Sequence, residues 1–186
     1  MIMPENEQTI VVAFSSIKKA GGGATMTVQN GDPLPKANFT VMTQDGPEAR
    51  TTDQIFQGRK VVLFGVPGAF TPLCDKQHLP GFLANTDEFR ARGIDAIAVT
   101  SVNDVFVMDA WAKSAGAEDK IIFLADGNGD FARALGLTLD LTTRGLGIRS
   151  QRYAMLVDNG VVRKFNVETA AGKVETSSAE ALLKQL

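Results

Sequence analysis

The sequence predicts an α/β fold in which a central mixed β-sheet is flanked by helices. Three observations lead there. Near-continuous β-branched runs, the mark of strands buried on both faces, alternate with stretches of helical periodicity. That alternation is how strands and crossover helices build parallel sheet. Two further runs flank Asp158-Asn159-Gly160, a hairpin signal that adds antiparallel strands, and a capped helical segment closes the chain.

Regular text begins at Thr25. Residues 30–43, NGDPLPKANFTVMT, carry paired prolines and then alternate, so a turn leads into a short strand. Residues 51–59 read as a short helical or turn segment. Residues 60–66, KVVLFGV, form a buried strand. Residues 72–93 are helical in pattern but contain Pro80-Gly81, where a kink or bulge is expected. IDAIAVTSV is the next strand, and NDVFVMDAWAKSAGA the next helix, with Asn103 or Asp104 as its N-cap. KIIFLAD is a third strand and GDFARALGL another helix. RYAMLVDNGVVRKFNVE is the hairpin, and SSAEALLKQL the last helix, capped by Ser177 or Ser178.

Residues 25–186 make one domain. Residues 1–24 stand apart as an extension, with AGGGA as a flexible joint. They do not read as a secretory signal, because Glu5 and Glu7 precede the apolar TIVVAF while Lys18 and Lys19 follow it.

Lys and Arg total 19 against 21 Asp and Glu, for a net charge of −2. A chain without basic excess lacks the footprint of a nucleic-acid binder and the means to dock on an anionic membrane. No apolar run approaches the roughly 20 residues a membrane helix needs. The single cysteine, Cys74, excludes an intrachain disulfide and suits a reducing compartment, so a cytoplasmic location is expected. With one cysteine and one histidine, His78, there is no metal-ligand spacing, and neither metal nor bound cofactor is expected.

In LFGVPGAFTPLC a strand passes through a loop into a helix start. Thr71 can N-cap, Pro72 falls at N1 where a missing N–H costs nothing, and Cys74 falls at N3. Unpaired amides and the positive end of the helix dipole favour an anion there, and a thiolate is the anion cysteine supplies. The Thr71 hydroxyl, one turn earlier, can donate to sulfur or to a bound oxygen. Cysteines are also common as inert core fillers, and the spacing alone leaves both readings open.

The spacing P-x-x-x-T-x-x-C at Pro67, Thr71 and Cys74 resembles the active-site loop of the peroxiredoxins, and KQHLPGF after it resembles the type II, or peroxiredoxin 5, branch. AVTSVNDVFVMDAW and RSQRYAMLVDNGVV match the same branch, the latter placing Arg152 on the family's catalytic arginine. The resemblance implies a thioredoxin-like fold and a peroxidase in which the Cys74 thiolate becomes a sulfenic acid. Pro67 would shield the pocket, Thr71 and the Cys74 amide would hold the peroxide, and Arg152 would stabilise thiolate and developing alkoxide. Arg149 lies three residues earlier; in an extended segment the two arginines would point to opposite faces, and Arg152 is the choice.

With no resolving cysteine, the oxidised sulfur must meet an outside thiol. The resemblance implies glutathione with glutaredoxin, thioredoxin being the alternative donor. It also implies a homodimer whose interface lies beside the active site, near the apolar set Phe70, Phe106, Met108 and Trp111, which by themselves read as core. A rival reading is a non-enzymatic redox sensor or holdase on the same fold. A cysteine hydrolase ranks last, for want of a suitable histidine.

Three weaker signals accompany these. His78, four residues after Cys74, reads either as a charge partner for the thiolate or as a satisfied or solvent-facing residue. Asp75 is expected to cap the first turn. GNGDFA nearly spells a dinucleotide fingerprint but lacks the acidic residue about 20 positions on, and reads as a turn and helix cap.

Overall fold

The computed structural model describes residues 26–186; the extension read at 1–24 lies outside the described residues. Seven strands form one mixed sheet. In chain order they include β1 (Asn38–Thr43), β2 (Gly46–Thr51), β3 (Lys60–Gly65), β4 (Ala96–Ser101) and β5 (Ile122–Ala125). A ribbon of β6 (Thr138–Leu141) and β7 (Gly147–Ser150) follows, then β8 (Tyr153–Asp158) and β9 (Val161–Val167). The order across the main sheet is β2-β1-β5-β4-β3-β8-β9, with β3-β4-β5 parallel and the rest antiparallel.

The parallel centre follows from its residues. Val61 and Leu63 of β3 enter one core with Phe39, Ala98, Leu124 and Met155, while Val62 and Phe64 enter the other with Phe82, Val99 and Trp111. A strand buried on both faces must be apolar at successive positions, which is why KVVLFGV is readable. Gly65 has a different cause: a Cβ there would overlap the ring edge of Tyr153, its partner across the β3–β8 ladder. Gly65→Ala is therefore expected to cost about 3 kcal/mol through overpacking, measurable as a lowered urea midpoint.

The helices are α1 (Thr52–Phe56), α2 (Leu79–Ala84), α3 (Thr86–Ala91), α4 (Val105–Ala115), α5 (Asp130–Ala134) and α6 (Ala179–Leu183). Caps settle the alternatives left by the sequence. Asp104 accepts from the amides of Phe106 and Val107, and Ser178 from that of Ala181. The GNGDFA segment is a turn and cap: Gly129 is left-handed, and the buried Asp126 carboxylate accepts from the amides of Phe131 and Ala132. α5 ends at Ala134, short of the predicted Leu137, where Gly136 turns left-handed. The β8–β9 hairpin turns at Asn159 and Gly160, both at positive φ, as a type I′ turn requires.

Two features depart from the reading above. The predicted irregularity at Pro80-Gly81 lies one turn earlier, as a π-helical turn over Cys74–His78 in which the Leu79 amide reaches the Cys74 carbonyl. Widening the turn just before Pro80 accommodates its missing N–H and its bulky ring. The sequence also left β2, β6 and β7 unassigned. β2 is a largely exposed edge strand containing Pro47, and β6 and β7 pair only with each other, so none carries a buried apolar face to announce it. Among the described residues no helix is long and apolar enough to cross a membrane.

Candidate active site

β3 delivers the chain to the site. The Val66 amide extends the ladder to the Thr100 carbonyl (3.1 Å), and residues 67–71 then loop to the helix start. The Ala69 amide donates to Asn103 Oδ1 (3.0 Å), which ties this loop to the entry of α4. Phe70 takes φ 61°, a left-handed conformation costly for a bulky side chain, and its ring stays half exposed.

Thr71 begins the helix, its carbonyl accepting from the Asp75 amide (2.9 Å). Leu73 and Cys74 precede that bond, among the amides unpaired at a helix start. Thr71 does not cap with its side chain as expected: the hydroxyl donates back to the Gly68 carbonyl (2.8 Å), bracing the loop. Cys74 is wholly buried in the core cluster that includes Phe64, Val66 and Phe82. Asp75 does not cap the turn either; it accepts from the Trp111 indole (2.7 Å), locking the helix to α4.

Arg152 is 3% exposed, which decides its character: a desolvated guanidinium is costly to keep and must be held. Its Nη1 meets His78 Nδ1 (3.2 Å), its Nη2 the Ala171 carbonyl (3.4 Å), and its Nε has no partner. Arg149 shares none of these partners. Its Nε donates to the Leu146 carbonyl (2.7 Å), and its Nη1 lies 3.5 Å from both the Pro67 carbonyl and Asn103 Oδ1. β7 ends at Ser150 and β8 belongs to another sheet, so no single strand runs through both arginines.

The two readings of His78 are now separable. Burial pushes its pKa down from 6.5 to about 4; the bond to the Ser177 carbonyl opposes this, and the Arg152 charge adds to it. The ring is neutral at neutral pH and is no cationic partner for a thiolate. Because arginine can only donate, Nδ1 must accept, so the proton sits on Nε2 and goes to the Ser177 carbonyl (2.9 Å). With both nitrogens engaged, His78 is not a general base for Cys74 either.

A depressed histidine pKa has a sign. Between about 4 and 6.5 the unfolded chain binds the extra proton, so stability is present above 6.5 and falls as pH drops through about 4. This one group is expected to cost about 3 kcal/mol across that window. Chemical denaturation at a series of pH values checks it, and a slope of opposite sign would rule out a neutral buried ring.

The segment after β9 is the part sequence reasoning missed. Ala171 contributes only a carbonyl, which no residue type signals, and Ser177 was read solely as a candidate cap. The apolar set also divides: Met108 and Trp111 are core, whereas Phe70 and Phe106 are exposed, as are Leu146 and Ile148.

The redoxin family model matches residues 29–183. The chain is 45% identical over 185 residues to peroxiredoxin-2E of Arabidopsis thaliana, a chloroplastic protein, covering 97% of this chain and 79% of that one. It is 48% identical over 157 residues to peroxiredoxin-2C of Oryza sativa subsp. japonica, covering 84% and 96%. The reduced Prx3 of Vibrio vulnificus, solved in complex with H2O2, superposes with a TM-score of 0.82 at 47% identity, covering 86% of this chain and 99% of that one. A thioredoxin-like fold with a buried cysteine at a helix start thus belongs to the redoxin family. Within it the chain is a peroxiredoxin of the type II branch, a group of thiol-dependent peroxidases.

Proposed function

We propose that this protein reduces hydrogen peroxide and small alkyl hydroperoxides at Cys74, with glutathione and glutaredoxin returning the sulfur to its thiol. The observation that carries this reading is the Arg152 guanidinium: buried, held through both Nη atoms, one of them on His78 a helical turn after Cys74, and with Nε unspent. The Cys74 thiolate attacks one oxygen of the O–O bond. An S–O bond forms, the O–O bond breaks, and the departing alkoxide takes a proton to leave as water or alcohol. Arg152 offers its free N–H to the thiolate and then to the developing alkoxide. Thr71, its proton turned to Gly68, presents an acceptor to the hydroperoxide O–H, and Pro67 keeps bulk water from the sulfur.

Recycling needs two outside thiols. The first condenses with the sulfenic acid, giving a mixed disulfide and water; the second displaces Cys74 as thiolate and leaves as a disulfide. Because the sulfur is wholly buried, a thiol of glutathione's size reaches it only after the first turn opens. Turnover with glutathione and glutaredoxin, set against turnover with thioredoxin and its reductase, tests the donor. A faster rate with thioredoxin would reassign it.

We extend the proposal to a homodimer through Phe70, Phe106, Leu146 and Ile148, brought to one region by the Ala69–Asn103 and Arg149–Pro67 contacts. Sedimentation is expected at twice 19.9 kDa, and Phe106→Glu at the monomer mass. The cytoplasmic location rests on the lone thiol alone. The rival reading as a sensor or holdase draws on the missing resolving cysteine but gives a desolvated arginine nothing to do.

A further inference from the structure

We propose that Glu168 is a positioning residue for the Arg152 guanidinium, acting through the 169–177 segment, whose carbonyls hold the arginine directly and by way of His78. The inference rests on the peroxidase reading of Arg152. Glu168 lies at the end of β9 and is itself buried. Its amide donates to the Arg152 carbonyl (2.9 Å), fixing the two residues side by side.

The carboxylate then folds the following segment back. Oε1 accepts from the Glu175 amide (2.7 Å), the Ser177 amide (2.8 Å) and the Ser177 hydroxyl (2.8 Å). Two contact points emerge from the segment so pinned. The Ala171 carbonyl receives Arg152 Nη2, and the Ser177 carbonyl receives His78 Nε2–H, which obliges His78 Nδ1 to face Arg152 Nη1. The circuit closes on itself: Arg152 to His78, His78 to Ser177, Ser177 to Glu168, Glu168 to Arg152. A flexible four-torsion side chain is thereby held with its two Nη groups committed and Nε left over.

Burial by itself would raise the Glu168 carboxyl, but the Ser177 and Glu175 amides and the Ser177 hydroxyl outweigh it and hold the group below the usual range. It remains an acceptor at neutral pH. The charged groups facing the His78 ring are Arg152 and Glu168.

The test uses the full chain with Glu168→Ala and Glu168→Gln, alone and with Arg152→Ala. Oxidation of Cys74 by hydrogen peroxide, followed by Trp111 fluorescence, is expected to slow about tenfold in Glu168→Ala and to recover most of that loss in Glu168→Gln, whose amide oxygen can take the place of Oε1. With Arg152 already replaced, removing Glu168 is expected to change the rate less than about twofold, since its route of action is gone.

The second readout does not depend on activity. His78 is the only histidine, so its ring nitrogens give one assignable NMR signature. The wild-type ring is expected to hold the Nε2–H tautomer down to about 4, and Glu168→Ala to move the titration lower still, because the Glu168 charge and the Ser177 carbonyl it positions both raise it.

A wild-type rate in Glu168→Ala, or an equal slowing when Arg152 is absent, overturns the proposal. Should Glu168→Ala be too unstable to isolate, Ser177→Ala must move the His78 titration in the same direction, and an unmoved signal is equally fatal. If the wild-type protein does not reduce peroxide, the peroxidase reading falls, while the His78 titration still decides this one.

Discussion

Cys74→Ser is expected to abolish peroxide reduction, with the rate falling ~1,000-fold or more. The reason lies in the nucleophile: a hydroxyl is essentially un-ionised at neutral pH, and oxygen cannot cycle through a sulfenic acid. The site raises a complication, because Cys74 is wholly buried among apolar residues and a serine there brings a hydroxyl needing a partner. Its burial is expected to cost roughly 1–3 kcal/mol. Cys74→Ala removes the sulfur without adding that polar group and serves as the companion variant. Both should retain near-UV circular dichroism from Trp111, and both should be inactive in a coupled peroxidase assay. Residual turnover in the alanine variant would place the chemistry elsewhere.

Arg152→Ala is expected to slow the reaction of Cys74 with hydrogen peroxide about 100-fold, the usual scale for deleting a preorganised donor from a dry site. The substitution also strands one buried acceptor, His78 Nδ1, at roughly 1–3 kcal/mol, and frees the half-buried Ala171 carbonyl. Lower rate and lower stability thus come together, and Arg152→Lys separates them. A lysine keeps the charge, yet its single ammonium cannot reach His78, Ala171 and the reacting sulfur at once as a planar fork does. Arg152→Lys should therefore be nearly as slow as Arg152→Ala while unfolding closer to wild type. Stopped-flow Trp111 fluorescence and urea unfolding on the same samples check both halves. A lysine variant as fast as wild type would show that charge alone suffices.

The sequence by itself determined the parallel centre and the place of the sulfur. KVVLFGV, AIAVTS and IIFLA are legible because strands buried on both faces must be apolar along their length, and Thr71-Pro72 marks a helix start by local backbone chemistry. Cys74 follows three residues on from Thr71. These are signals carried over a few neighbouring residues, so one chain suffices to read them.

Only the tertiary structure decided what surrounds the sulfur. His78 is neutral because folding buries its ring and sets a guanidinium 74 residues away beside it, which together outweigh the bond to a carbonyl 99 residues away. Arg149 reaches the Pro67 carbonyl across 82 residues of sequence, and the chain changes sheets between Ser150 and Tyr153. β2, β6 and β7 gain their pairing from position in the fold, having no buried face of their own. Burial, protonation and long-range hydrogen bonding belong to pairs of residues that only folding brings together, and a residue's type does not name its partner.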